Sequence, residues 1–372
     1  MRRRTFLSAA VLPLAGCRAK TANSYAGYAF VACTGDGTVA AVDLANFKVA
    51  QRFSLGAAPT AVMASRNKNV VYALTPSSGT VHEINTKTLK VERTVAIGGQ
   101  AYSMALTPPH ASRQALWVLG HERRQVCGVN LQSFQIEQRL PLTGDPVSFD
   151  VANWLPVLTV SYGRKGTVGV IDWKTGKQQE ATLGGEVGTV RFQGNGEQVL
   201  AANLTDQSIA ILRSTDANLV TTLPLAVKPE QFCEKPDGGE WYISGPGADA
   251  VVLVDPYKTQ ISATLLAGNA PGSMASCATP PYLFVTNPKA DSVSVMDIEV
   301  RKIIAVAKVG REPDYITLTP DERYALVLNR ESGDMAVLDV PTLRANKFRS
   351  AALLTMVAVG ERPVSAAVQW RV

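Results

Sequence analysis

Charge is scarce in this sequence. Asp, Glu, Lys and Arg supply 18% of its 372 residues, against about a quarter in ordinary soluble chains. Little charge with ample Val, Ala, Thr and Gly suits sheets covered on both faces. Histidine is nearly absent. His82 on an expected strand, His110 in a turn and His121 in a loop are the three, and none stands at i, i+4 from another or beside a cysteine, so no metal site is expected. The cysteines after the leader (Cys33, Cys127, Cys233 and Cys277) are scattered singly with no C-x-x-C. That pattern excludes a disulfide framework and attached haem, and buried free thiols are expected. No internal apolar run reaches the ~20 residues of a membrane helix. No G-x-S-x-G elbow is present, and no helical periodicity runs through the chain after residue 27.

The first 16 residues read as a secretory signal: a basic start, an apolar stretch from Phe6 to Leu14, then small residues. Arg3-Arg4-Thr5-Phe6-Leu7 resembles the twin-arginine export motif, and Leu14-Ala15-Gly16-Cys17 resembles the bacterial lipobox. The second resemblance implies that Cys17 becomes a lipidated first residue, anchored to a membrane on the periplasmic side of the envelope. Residues 17–27 then form a short tether. Of 37 basic residues, Arg2, Arg3 and Arg4 leave with the signal, so 34 remain against 31 acids, a net +3. A charge this small gives no support to nucleic acid as a partner.

From Tyr28 onward one pattern recurs about every 42 residues. An apolar strand such as "YALVLN" is followed by a polar loop, a second strand such as "MAVLDV", a turn and a third strand. Then comes a G-x-x-P-like corner, a fourth strand and a turn into the next unit. A lone four-stranded sheet of this kind cannot bury both faces, whereas copies packed around an axis can. The expected fold is all-β: a β-propeller over residues 28–372 with eight blades, or seven if the irregular unit from Ala115 to Leu155 is not a blade. The chain starts at the second position of a blade and ends at the first, so Pro363 to Trp370 is expected to pair with Tyr28 to Leu55 and close the ring. Asp43, Asp172, Asp255, Asp297 and Asp339 recur at one turn, where Asp bonds its own backbone two residues on. Trp117, Trp154, Trp173, Trp241 and Trp370 fall in or beside strands and are expected in core or rim packing.

The units resemble the YVTN family of β-propeller repeats, whose pattern is G-x-x-P, strand, turn, "yVtN", "sVsViD". "LFVTN" (Leu283 to Asn287) with "SVSVMD" (Ser292 to Asp297) carries the likeness most closely, while "GGQA" and "GGEV" lack the proline and "SIAILR" lacks the closing acid. The resemblance implies a propeller, often secreted or surface-associated, and names no ligand. Function on a repeated scaffold sits in the loops that differ. Two neighbouring loops are basic, "GHERRQ" with His121, Arg123 and Arg124, and "SYGRKG" with Tyr162, Arg164 and Lys165. These six residues are the candidate ligand-binding set. The expectation is a monomeric, non-catalytic binding or scaffold lipoprotein that needs no cofactor and meets the membrane only through its anchor. Its partner would be an envelope protein, a peptide or a glycan. The alternatives are a propeller enzyme, lactonase-like hydrolase or lyase, and a carrier of non-covalent haem or quinone.

Overall fold

The computed structural model describes residues 25–109, 114–345 and 352–370. The signal segment, Cys17 and His110 lie outside the described residues. Among the described residues thirty-two strands form eight separate four-stranded antiparallel sheets. The irregular unit is a true blade boundary: Ala115–Gly120, Gln125–Asn130 and Ile136–Pro141 complete the third blade, and Ser148–Val151 begins the fourth.

Closure follows the expected route. Pro363–Trp370 is the inner strand of blade 1 and pairs with Gly27–Cys33, which pairs in turn with Thr38–Asp43 and Lys48–Ser54. The register sets Gly27 opposite Trp370, Ala29 opposite Val368 and Cys33 opposite Pro363. The propeller begins earlier than residue 28. Tyr25 is 2% exposed, and its ring lies 4.2 Å from that of Trp370. Residues 25–27, assigned from sequence to the tether, thus belong to the ring.

Burial explains why single blades cannot stand alone. The hydrophobic core is divided into eight clusters, each drawing on two neighbouring blades. Second and third strands of each blade are buried almost throughout, whereas outer strands such as Lys90–Ala96 alternate towards solvent. Trp117 is fully buried and faces Trp173 at 5.9 Å. Gly128 makes room for it, since a Cβ there would stand 2.8 Å from the indole. Of the other tryptophans, Trp241 is buried while Trp154 and Trp370 are exposed.

The inner strand of each blade has one edge without a strand partner. Side chains from the preceding blade meet some of those amides. Val62 N donates to Ser365 Oγ at 3.2 Å, Val190 N to Ser148 Oγ at 3.4 Å and Ile316 N to Ser273 Oγ at 3.4 Å. Phe192 N donates to Asp150 Oδ2 at 2.8 Å.

The recurrent acids do serve their turns. Ala45, Lys174, Tyr257 and Glu299 each donate a backbone N–H to the Asp two residues before, at 2.8–3.0 Å. Asn85 and Asn130 act alike in blades 2 and 3. In blade 5, where Arg213 replaces the acid, Asp216 accepts from Asn218 instead. Asp339 differs because a short helix, Val340–Ala345, starts there, and it accepts from the Thr342 hydroxyl.

Candidate functional site

Alternating strand directions sort the connections onto two faces. One carries the G-x-x-P corners and the loops between second and third strands, here the loop face. The other carries the tight turns, here the turn face. Both basic loops named from sequence lie on the loop face, in blades 3 and 4, but their six residues do different things.

His121 stacks on Tyr102, centroids 4.5 Å apart, with Nδ1 buried and unpartnered. Arg124 adopts a positive φ of 44° and holds Asp145 of the next corner at 2.7 Å. Lys165 pairs with Glu180 at 2.8 Å and donates to Thr143 Oγ1 at 3.1 Å. Tyr162 is 1% exposed beneath Lys165, whose Nζ stands 5.0 Å from the ring. Its hydroxyl is pushed up by burial. Tyr162 is therefore a core side chain below the face. Arg123 and Arg164 are exposed, and no carboxylate pairs with either among the described residues.

A large concavity on the loop face lies elsewhere, at the seam between blades 8 and 1. It is a cleft of about 840 Å³ whose lining includes Asp36, Arg52, Arg330, Glu331, Glu361 and Arg362. Arg52 donates to the Val359 and Ala358 carbonyls, which fixes it on the cleft wall. Glu361 N donates to Asp36 Oδ2 at 3.2 Å. Gly360, at φ 143°, allows this crossing, because a Cβ would fall 2.5 Å from that carboxylate. Arg330 leans on Asp314 at 3.5 Å. Arg362 is exposed at φ 50° and makes no ion pair among the described residues.

Three successive inner strands carry charge near the turn face: Asp150 of blade 4, Arg191 of blade 5 and Glu234 of blade 6. Burial, with the Asp150 charge added, pushes Glu234 up to about 7, and its Oε1 has no hydrogen-bond partner. Burial likewise raises Asp150. An acid raised in the folded state binds its proton there before the unfolded chain does. Stability contributed by Glu234 is thus full below its ordinary 4.5 and falls as pH rises to about 7. Glu234→Gln is expected to stabilise the protein at pH 8 by about 1–2 kcal/mol, because water screens part of the carboxyl. The same variant should flatten the dependence of the thermal midpoint on pH between 4.5 and 7. Equal slopes for both proteins would show that Glu234 titrates normally.

The thiols are not poised as nucleophiles. Burial pushes Cys33 up to about 12 and Cys233 and Cys277 up to about 11. All four described cysteines are free. His82 is buried on its strand, 3.1 Å from Thr75 Oγ1, and burial lowers its pKa. Among the described residues no three His, Cys, Asp or Glu side chains converge as metal ligands.

No known family profile and no curated protein matches this sequence. Solved structures do resemble it. Dihydro-haem d1 dehydrogenase NirN in complex with DHE is 16% identical, with a TM-score of 0.74 over 91% of this chain and 74% of that one. Apo AztD from Citrobacter koseri is 13% identical, with a TM-score of 0.70 over 94% of this chain and all of the other. Hydrazine synthase from Kuenenia stuttgartiensis is 16% identical, with a TM-score of 0.59 over 76% and 95%. The chain is an eight-bladed β-propeller. At these identities the likeness carries the fold and no activity.

The cleft escaped the sequence reading because its walls come from the first and last repeats, so Asp36 and Arg52 are far from Arg330 and Arg362 along the chain. Asp150 and Glu234 escaped because inner strands are short and irregular in pattern. The signal that existed was a charge within an inner strand, as in "SFDV" and "QFCE".

Proposed function

We propose that this propeller is a non-catalytic extracytoplasmic binding lipoprotein of the YVTN-repeat type, which offers its loop face to a protein, peptide or glycan carrying acidic groups. One observation carries the reading. On a face where Arg124, Lys165, Arg311 and Arg330 are each paired with carboxylates, Arg123, Arg164 and Arg362 have no carboxylate partner among the described residues. Exposed guanidinium groups of this kind form bidentate hydrogen bonds to carboxylate, sulfate or phosphate groups. The buried, protonated thiols fit the same reading.

Crosslinking in the native envelope identifies the partner, and alanine variants test the face. Arg123→Ala with Arg164→Ala is expected to weaken capture about 10- to 100-fold, at roughly 1.5–3 kcal/mol for a hydrogen bond to a charged group. Arg124→Ala with Lys165→Ala, which removes cations already neutralised, should cost much less. Unchanged affinity in all four positions would place the partner elsewhere.

A second reading rests on Glu234. A carboxylic acid poised near neutrality and within reach of the Asp150 charge suits a general acid or base in a propeller hydrolase or lyase. Turnover of a lactone by the purified protein, lost in Glu234→Gln, would decide for it.

A further inference from the structure

The place where the chain joins the ring constrains how the ring stands on a membrane. Tyr25 and Trp370 meet on the turn face, since Gly27 pairs with Trp370 while Cys33 and Pro363 mark the loop face. Cys17 precedes Tyr25 by eight residues, a stretch that spans at most about 29 Å even when fully extended. Reaching the loop face would mean passing two outer strands at about 4.8 Å each. The path would then climb a seven-residue strand of about 23 Å. Acyl chains on Cys17 therefore belong with the turn face.

That face also carries both exposed tryptophans. Trp154 is 64% exposed in the turn after Ser148–Val151 of blade 4, and Trp370 is 42% exposed at the end of the closing strand. Tyr257, 55% exposed, and Val300, 58% exposed, stand on turns of blades 6 and 7. These side chains are spread over turns of blades 1, 4, 6 and 7 on one face of the ring. Indole and phenol rings settle at the level of lipid headgroups, with an apolar body and a polar tip.

We propose that the turn face rests on the bilayer that holds the acylated Cys17, with Trp154 seated among the headgroups. The loop face and the cleft between blades 8 and 1 then point away from the membrane. The partner of the turn face is a lipid surface, and the proposal rests on the lipoprotein reading above.

The full chain, purified from membranes, is reconstituted into phosphatidylcholine vesicles with or without bromine on the upper acyl carbons. Mass spectrometry reads the acyl group separately. Tryptophan emission is expected to shift to the blue and to be quenched in brominated vesicles, and Trp154→Phe should lose a large part of that quenching, with Trp370 keeping the rest. Leu266→Trp in the Trp154→Phe background places a reporter on the loop face, at a site 76% exposed, and compared with that background it should add only emission that the bromine leaves unquenched. An acylated protein whose Trp154 escapes quenching, or whose Leu266→Trp reporter is quenched, overturns the orientation and leaves the lipoprotein reading intact. A mass without acyl chains overturns the lipoprotein reading. Quenching of Trp154 in that unacylated protein would still support a lipid-facing turn face, and its absence would end that proposal too.

Discussion

A chain cut after Glu361 is expected to lose cooperative folding altogether. Pro363–Trp370 is the whole inner strand of blade 1, and it covers Phe30 and Val31, both fully buried. Without it Gly27–Cys33 becomes a bare apolar edge, the kind of template that pairs with other chains. The two clusters that flank blade 1 lose Ala366 and Ala367. Contacts with both neighbours go as well: Val62 N loses Ser365 Oγ, and the Tyr315 hydroxyl loses the Ala366 carbonyl. A gap in a closed ring exposes two blade faces at once, so the loss should match or exceed the ~5–15 kcal/mol that holds an ordinary domain together. Circular dichroism melts and size-exclusion chromatography would show it as a missing transition and aggregated material. A monomer with a sharp, unshifted transition would mean that seven blades suffice.

Arg93→Ala should give the next largest loss, about 3–5 kcal/mol, because it leaves the buried Glu83 carboxylate without its cation. Glu83 is 2% exposed on the third strand of blade 2. Arg93 holds it with two parallel bonds, Nε to Oε1 and Nη2 to Oε2, both 2.7 Å. The same guanidinium donates to Gln132 O at 2.7 Å and lies 4.8 Å from the Phe134 ring, so it staples blade 2 to blade 3. Removing the carboxylate leaves a cation whose side chain is 35% exposed, so water screens it and Glu83→Ala should cost less. Removing Arg93 instead leaves a buried anion next to Tyr72, whose hydroxyl is already pushed up by burial and by that charge. Arg93→Ala should lower the melting temperature by roughly 5–10 °C, and Glu83→Ala by less. The double variant Glu83→Leu with Arg93→Met should recover most of the loss, because well-packed apolar side chains replace buried ion pairs at little cost. Single and double variants that melt alike would show that the pair contributes only as a surface contact.

The architecture was legible because each blade repeats one alternation of burial, and repetition amplifies a weak pattern eight times over. "YALVLN" and "MAVLDV" announce buried second and third strands, and the turn acids announce their bends. Where neighbours in space are distant in sequence, legibility stops. Tyr162 begins a loop in the sequence, yet it turns inward because Gly144 and Gly169 leave the space its ring fills. Tyr25 looks like tether until Trp370 supplies the surface it packs on. The basic loops were found by composition, but which cations stay unpaired depends on Asp145 and Glu180, which reach them from other segments.

The pairing of Ala29 with Val368 has a bearing on biogenesis. Seven blades are assembled from neighbouring stretches of chain, so each can take shape as its own ~42 residues appear. Blade 1 cannot, since its innermost strand is translated after all the others. The ring stays open, with one blade incomplete, throughout synthesis, and shuts in a single long-range step once the ribosome has made residues 363–370.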